Sequence, residues 1–334
     1  MTVLAGTSAR HRVPPKAAGL AAAVMIGVFA TLVGTRVPVI GAPVFAVAAG
    51  VLLSAPARRS AWNLDVAKGP VLQLSVVLLG AQLSLGQVVS VGAGSLPVML
   101  GTLGVCLLLA GLVGRKLGVP RDLRTLIGVG TGICGASAIA ATTPAIRAKS
   151  NDVAYAISTI FLFNVAAVLM FPLLGHALGL SQHAFGLFAG TAVNDTSSVV
   201  AAAGAFGPAA VQYAVVVKLV RTLMIIPVVL VLSALTSRER SGLRAAVSLV
   251  PWFLVAFVAV AGLHSAGLIP VAAQGFLHSV ALLFIAVALA AVGLSTDVAA
   301  LRRAGARPLL LGLILWVAVS VTSLGLQHLL HVGT

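Results

Sequence analysis

Apolar residues dominate long stretches at roughly 17–35, 38–55, 70–86, 94–113, 125–143, 152–174, 185–203, 209–235, 246–266, 276–294 and 308–327. Most are near the length of about 20 residues that carries a helix across a hydrocarbon core. In lipid each backbone N–H and C=O must find a partner inside the protein, which selects helices. The pattern predicts an all-α polytopic membrane protein of about 11 transmembrane helices, with residues 1–334 forming one integral membrane domain. Residues 1–16, carrying Arg10, Arg12 and Lys16, read as a basic tail before an uncleaved first helix, because no small-residue cleavage site follows.

The polar loops between these runs are lopsided in charge. Sixteen Lys and Arg side chains fall on one side, in clusters at Arg10–Lys16, Arg58–Lys68, Arg115–Arg124, Arg238–Arg244 and Arg302–Arg307. Arg36, Arg147 and Lys149 fall on the other. Positive loops stay inside, so the N-terminus is expected to be cytoplasmic and the C-terminus outside a bacterial-type inner membrane. Composition agrees: 8% of residues are charged, against about 25% in soluble domains. A net charge of +15 would suit nucleic acid, but the charges are scattered among loops and form no single face. The expected partner is the lipid bilayer. Cys106 and Cys134 lie within apolar runs and provide no disulfide framework.

One run is interrupted. Between Phe185–Ala189 and Val199–Ala203 stand Asn194, Asp195, Thr196, Ser197 and Ser198, five consecutive hydrogen-bonding residues. An unpaired polar group in hydrocarbon costs several kcal/mol, and an ionisable one at membrane depth points to function. Lys218 and Arg221 follow in another apolar run, on one helical face with Thr222. Two cations against one carboxylate leave surplus positive charge, which a bound anion would relieve. The planar Arg fork suits sulfate, sulfonate, phosphate or carboxylate oxygens. The plainer alternatives are a structural ion pair between Asp195 and either cation, and snorkelling of Lys218.

A second unusual stretch is Gly128-Val-Gly-Thr-Gly-Ile-Cys-Gly-Ala-Ser137. It contains GxGxxG, but a dinucleotide site needs a soluble strand–turn–helix, and membrane runs flank this one. A broken helix beside a polar pocket fits better, with Thr131, Cys134 and Ser137 along one helical face. Close packing through small residues is the alternative.

Two self-similarities accompany these stretches. Gly130-Thr131…Ser137…Ala141 matches Gly190-Thr191…Ser197…Ala201 at an offset of 60. Leu83-Ser84…Gly94…Pro97…Gly101 matches Leu294-Ser295…Gly305…Pro308…Gly312 at an offset of 211. Inverted repeats with discontinuous, crossing helices are the expected architecture. The pair at offset 60 would be parallel unless re-entrant. Neither HExxH nor GxSxG occurs, so no enzyme is expected, and no cofactor beyond a coupling ion, H+ or Na+.

The run Gly132–Ala141 with Pro144 and Lys149 resembles the YeiH-type family, labelled sulfate exporters. So do Phe185–Val200, Lys218-Leu-Val-Arg221 with Pro227, and the closing Gly293–Leu309. The resemblance implies an inner-membrane transporter related to the bile-acid/sodium symporter superfamily. Many members of that family carry His where Asn194 stands; its loss here weakens a His-based proton relay and leaves Asp195 as the candidate titrating group. The expected function is a secondary transporter of a small anion such as sulfate or a sulfonate, working by alternating access. In this reading Lys218 and Arg221 attract the anion and Thr131, Ser137, Asn194 and Ser197 donate to it. Cys134, Thr196 and Ser198 complete the site, and Asp195 couples transport to a cation. A Na+-coupled organic-anion symporter and a non-transporting scaffold or receptor are the alternatives. A homodimer is compatible with each.

Overall fold

In the computed structural model the described residues are 15–36, 41–59, 62–236, 250–295 and 305–332. Residues 1–14 of the basic tail, the Arg238–Arg244 cluster, Arg302, Arg303 and the 296–304 part of the second repeat lie outside them.

The regular elements among the described residues are helical, as the apolar runs require. They are α1 (Pro15–Arg36), α2 (Gly41–Leu52), α3 (Ser54–Arg59), α4 (Leu72–Leu79), α5 (Leu85–Lys116), α6 (Arg121–Gly132), α7 (Ala136–Ile146) and α8 (Ser150–Ala177). There follow α9 (Gln182–Ala192), α10 (Thr196–Phe206), α11 (Pro208–Leu223), α12 (Ile225–Thr236), α13 (Trp252–Ser265), α14 (Val271–Leu294) and α15 (Ala306–Leu330). Six helical segments are long and apolar enough to cross a membrane: 17–34, 85–116, 150–177, 208–235, 271–294 and 306–330. The chain is a multi-pass membrane protein.

Helix ends follow local chemistry. Ser84 and Gln87 form a reciprocal capping box that starts α5. Arg115 and Lys116 close it on the negative end of its dipole. Packing relies on small residues, as it must where lipid removes the hydrophobic drive between helices. A Cβ on Gly50 of α2 would lie 2.5 Å from Ala290 O of α14, so these two backbones touch. Helices α1, α2, α4 and α14 pack as one group, and α5–α12 with α15 as another; α10 meets α2 and α14 where the groups join. In the second group α5 and α15 run antiparallel, Gly101 beside Leu326 and Gly114 beside Leu311. That is the orientation inverted copies at offset 211 require.

The runs 125–143 and 185–203 are discontinuous helices, as expected, and each is a hairpin. A Cβ on Gly130 would sit 3.0 Å from Ile139 Cδ1, although nine residues of straight helix span about 13 Å. Helix α7 therefore folds back along α6. In the second hairpin the rings of Phe185 and Phe206 stack at 3.9 Å, and Gln182 Oε1 accepts from Ala209 N at 2.9 Å. The start of α9 thus lies beside the end of α10. Arms of this length rise about 16–18 Å, roughly half a hydrocarbon core. Gly135 makes the first tip, at φ +70 where only glycine is unstrained. Extended backbone at Val193 and Asp195 makes the second. The tips meet, since a Cβ on Gly135 would lie 3.4 Å from Asp195 Cβ.

Candidate functional site

The two tips gather four half-depth helix ends in one place, and their charges sort by side. Carbonyls at the ends of α6 and α9 lack helical partners and carry the negative pole of each dipole. Lys218 and Arg221 of α11, both fully buried, supply the missing donors. Lys218 Nζ donates to Ile133 O and Val193 O at 2.8 Å each. The Arg221 guanidinium donates to Thr191 O, and at 3.5 Å to Thr131 O. Both pairs of acceptors are separated by 60 residues, the offset of the sequence repeat. The cations therefore cap two equivalent helix ends. Helix α11 comes this close to α9 because Gly186 and Gly190 face it: Cβ atoms there would lie 2.8 Å from Tyr213 Cβ and 2.7 Å from Val217 Cγ1.

The positive ends of α7 and α10 face a cavity instead. Asp195 caps α10, accepting from Ser198 N at 3.0 Å, Ser198 Oγ at 2.6 Å and Ser197 Oγ. It takes part in no ion pair with Lys218 or Arg221; among the described residues the ion pair is Asp65–Lys68, at 3.1 Å. Its counterpart at α7 is Gly135, which has no side chain, so the first turn at Ala136 and Ser137 is left without a cap. Asp195, Ser197, Ala136 and Lys68 line both lobes of the cavity. The larger lobe, about 410 Å³, adds Ser158, Phe161, Asn164 and Ser295. The smaller, about 210 Å³, adds Cys134, Ser137, Thr196 and Gln73. Asn164 of α8 is 3% exposed, and its Oδ1 accepts from Asn194 N at 3.1 Å. Its Nδ2 has no partner among the described residues and remains a donor at the cavity wall.

Each residue singled out in the sequence now has a place. Asp195, Thr196, Ser197, Ser137 and Cys134 line the cavity, and Ser198 holds Asp195. Asn194 is buried behind the second tip with its Oδ1 unpaired. Thr131 is buried in the last turn of α6. The expected shared face of Thr131, Cys134 and Ser137 does not form, because the tip at 133–135 turns the chain between them. Lys218 and Arg221 reach the 190–198 segment, but from behind the tips, and line neither lobe. Lys68, Ser158, Asn164 and Ser295 were missed. The repeat held a clue: an offset of 60 carries Lys218 and Arg221 onto Ser158 and Phe161, which line the larger lobe.

A family model described as conserved hypothetical protein 698 matches residues 18–312. A UPF0324 membrane protein of Streptococcus pneumoniae is 43% identical, over 94% of this chain and 97% of its own length. One of Streptococcus agalactiae is 41% identical over 94% and 98%. One of Fusobacterium nucleatum is 38% identical over 90% and 94%.

Proposed function

The chain belongs to the conserved hypothetical protein 698 family, the UPF0324 membrane proteins, and from there we propose that it is a secondary transporter of a small anion. The observation that carries this is the pair of half-depth hairpins meeting tip to tip beside a cavity that Asp195, Ser197 and Lys68 line. Broken helices whose ends face a mid-membrane site are a recurring basis of alternating access. Sulfate or a sulfonate-like anion is the substrate class, as the YeiH-type resemblance implies.

The electrostatics support an anion. Each helix end carries about half a unit charge. On the α11 side two cations meet two negative ends. On the cavity side two positive ends meet Asp195. With Lys68 on the wall of both lobes as well, the cavity side carries surplus positive charge against the single Asp195 carboxylate. An anion is therefore favoured there, and Asp195, the acidic side chain that lines both lobes, is the group we assign to coupling. The N–H groups of α7's first turn and the Asn164 amide serve as donors. Lys68, at the cavity wall, draws the anion in. Lys218 and Arg221 fix the tips and do not touch the substrate.

The hairpins also bear on orientation. If α6 and α7 enter and leave on one side, Arg147 and Lys149 join the basic side and Arg36 alone stands opposite. A cytoplasmic N-terminus then satisfies the positive-inside rule more fully than the sequence reading did. The test is flux into proteoliposomes over a panel of sulfate, sulfonates and carboxylates, with proton and sodium gradients imposed separately. Sulfate or sulfonate uptake driven by a proton gradient is expected. Absence of any anion flux from reconstituted, folded protein would sink the reading.

A further inference from the structure

Helix C-terminal carbonyls gathered at a break in the membrane are the usual ligands of a coupling cation such as Na+. Here that place is filled. Lys218 Nζ sits 2.8 Å from Ile133 O and 2.8 Å from Val193 O, one carbonyl from each hairpin. It is 0% exposed and takes part in no ion pair among the described residues. The backbone itself reaches the tip as extended or turned chain, so these carbonyls point at the ammonium and not along a helix.

We propose that the Lys218 ammonium is a tethered cation occupying what is otherwise an alkali-metal site between the hairpin tips, and that it makes the protein independent of Na+. The geometry offers a hard cation two backbone oxygens from separate segments in an enclosed place, the donor type such cations take. A tether at Lys218 keeps the site filled throughout the cycle, so its occupancy cannot report a sodium gradient. That leaves Asp195, on the opposite side of the tips, as the coupling group. The inference deepens the transport reading and rests on it for its functional meaning. The site itself is tested without transport.

The experiment compares thermal unfolding of purified wild type, Lys218→Ala, Lys218→Ser and Lys218→Met in choline, potassium and sodium chloride at constant ionic strength. Ala and Ser vacate the ammonium position and leave the carbonyls free, and Ser adds an oxygen. Met removes the charge but fills the space. Wild type is expected to unfold at one temperature in all three salts. Lys218→Ala and Lys218→Ser are expected to unfold at lower temperature in choline and to recover progressively with sodium, as mass action requires of a ligand bound only by the folded state. Lys218→Met is expected to be destabilised without recovery. Sodium-specific stabilisation of wild type would overturn the proposal, as would Ala and Ser variants that respond to sodium no more than Met. Should the vacated variants prove too unstable to purify, the wild-type arm decides, since salt-independent unfolding supports a filled site. Failure of anion flux with this pattern intact would remove the transport reading alone.

Discussion

Gly190 offers the sharpest test of the geometry. Replacing it by Ala puts a Cβ 2.7 Å from Val217 Cγ1, 2.8 Å from Val217 Cβ and 3.0 Å from Ala214 O. These neighbours are a stiff β-branched side chain and backbone, so neither can swing aside. Restoring normal carbon contact of about 3.5 Å requires α9 to move off α11 by about 0.8 Å. Val193 O and Thr191 O ride on α9, while Lys218 and Arg221 ride on α11. A 2.8 Å bond from Lys218 lengthened by that amount is no longer a hydrogen bond. Overpacking costs about 1–3 kcal/mol, and one lost bond to a charged group about 1.5–3 kcal/mol more. The sum, roughly 2.5–6 kcal/mol, corresponds to a drop on the order of 10 °C in Tm. The assay is thermal unfolding of purified protein. Gly104→Ala serves as control, because nothing lies within 4 Å of its added Cβ and helical Ala gains about 0.5–1 kcal/mol over Gly. If Gly190→Ala unfolded within about 2 °C of wild type, the tight seat of α9 on α11 would be wrong.

Further outcomes are expected at the cavity. Asp195→Asn keeps an N-cap as good as Asp, so folding should hold while uptake loses its dependence on a proton gradient; unchanged dependence would make the carboxylate structural. Asn164→Leu removes the free amide donor and the acceptor for Asn194 N, and should raise KM for the anion about tenfold or more, a single lost hydrogen bond to a charged ligand being worth about 1.5–3 kcal/mol; an unaltered KM would place the anion elsewhere. Gly135→Ala forces a side chain onto φ +70 and should cost about 1–3 kcal/mol of stability, read as a fall in Tm.

The helical, multi-pass architecture was legible because apolar runs of about 20 residues have few other solutions. The candidate site was legible in part. Asp195, Ser197, Thr196, Ser137 and Cys134 stood out as polar groups in apolar surroundings, and the cavity brings them together. The hairpins were not legible as such. Two arms of 11–12 residues joined by a short tip have the same apolar length as one crossing helix, and periodicity does not register a reversal of direction. Lys218 and Arg221 were visible as buried charge, but their partners are backbone carbonyls, which no side-chain pattern announces. Lys68 escaped notice because a lysine among loop residues looks like any other. Its position on the cavity wall is set by the turn of π-helix at Ala67–Val71, built around Pro70.

Two equivalent carbonyls on each of two arms, fastened to a single helix, restrict how the molecule can change shape. Opening either arm alone would take one of the two carbonyl acceptors from both the ammonium and the guanidinium inside the protein, at about 1.5–3 kcal/mol for each hydrogen bond to a charged group. The arms and α11 are thus bound to travel as one rigid block. The seam along which such a block can slide is the contact of α10 with α2 and α14. Exposure of the cavity to one face or the other then becomes a matter of shear between two bodies, with no lid to lift.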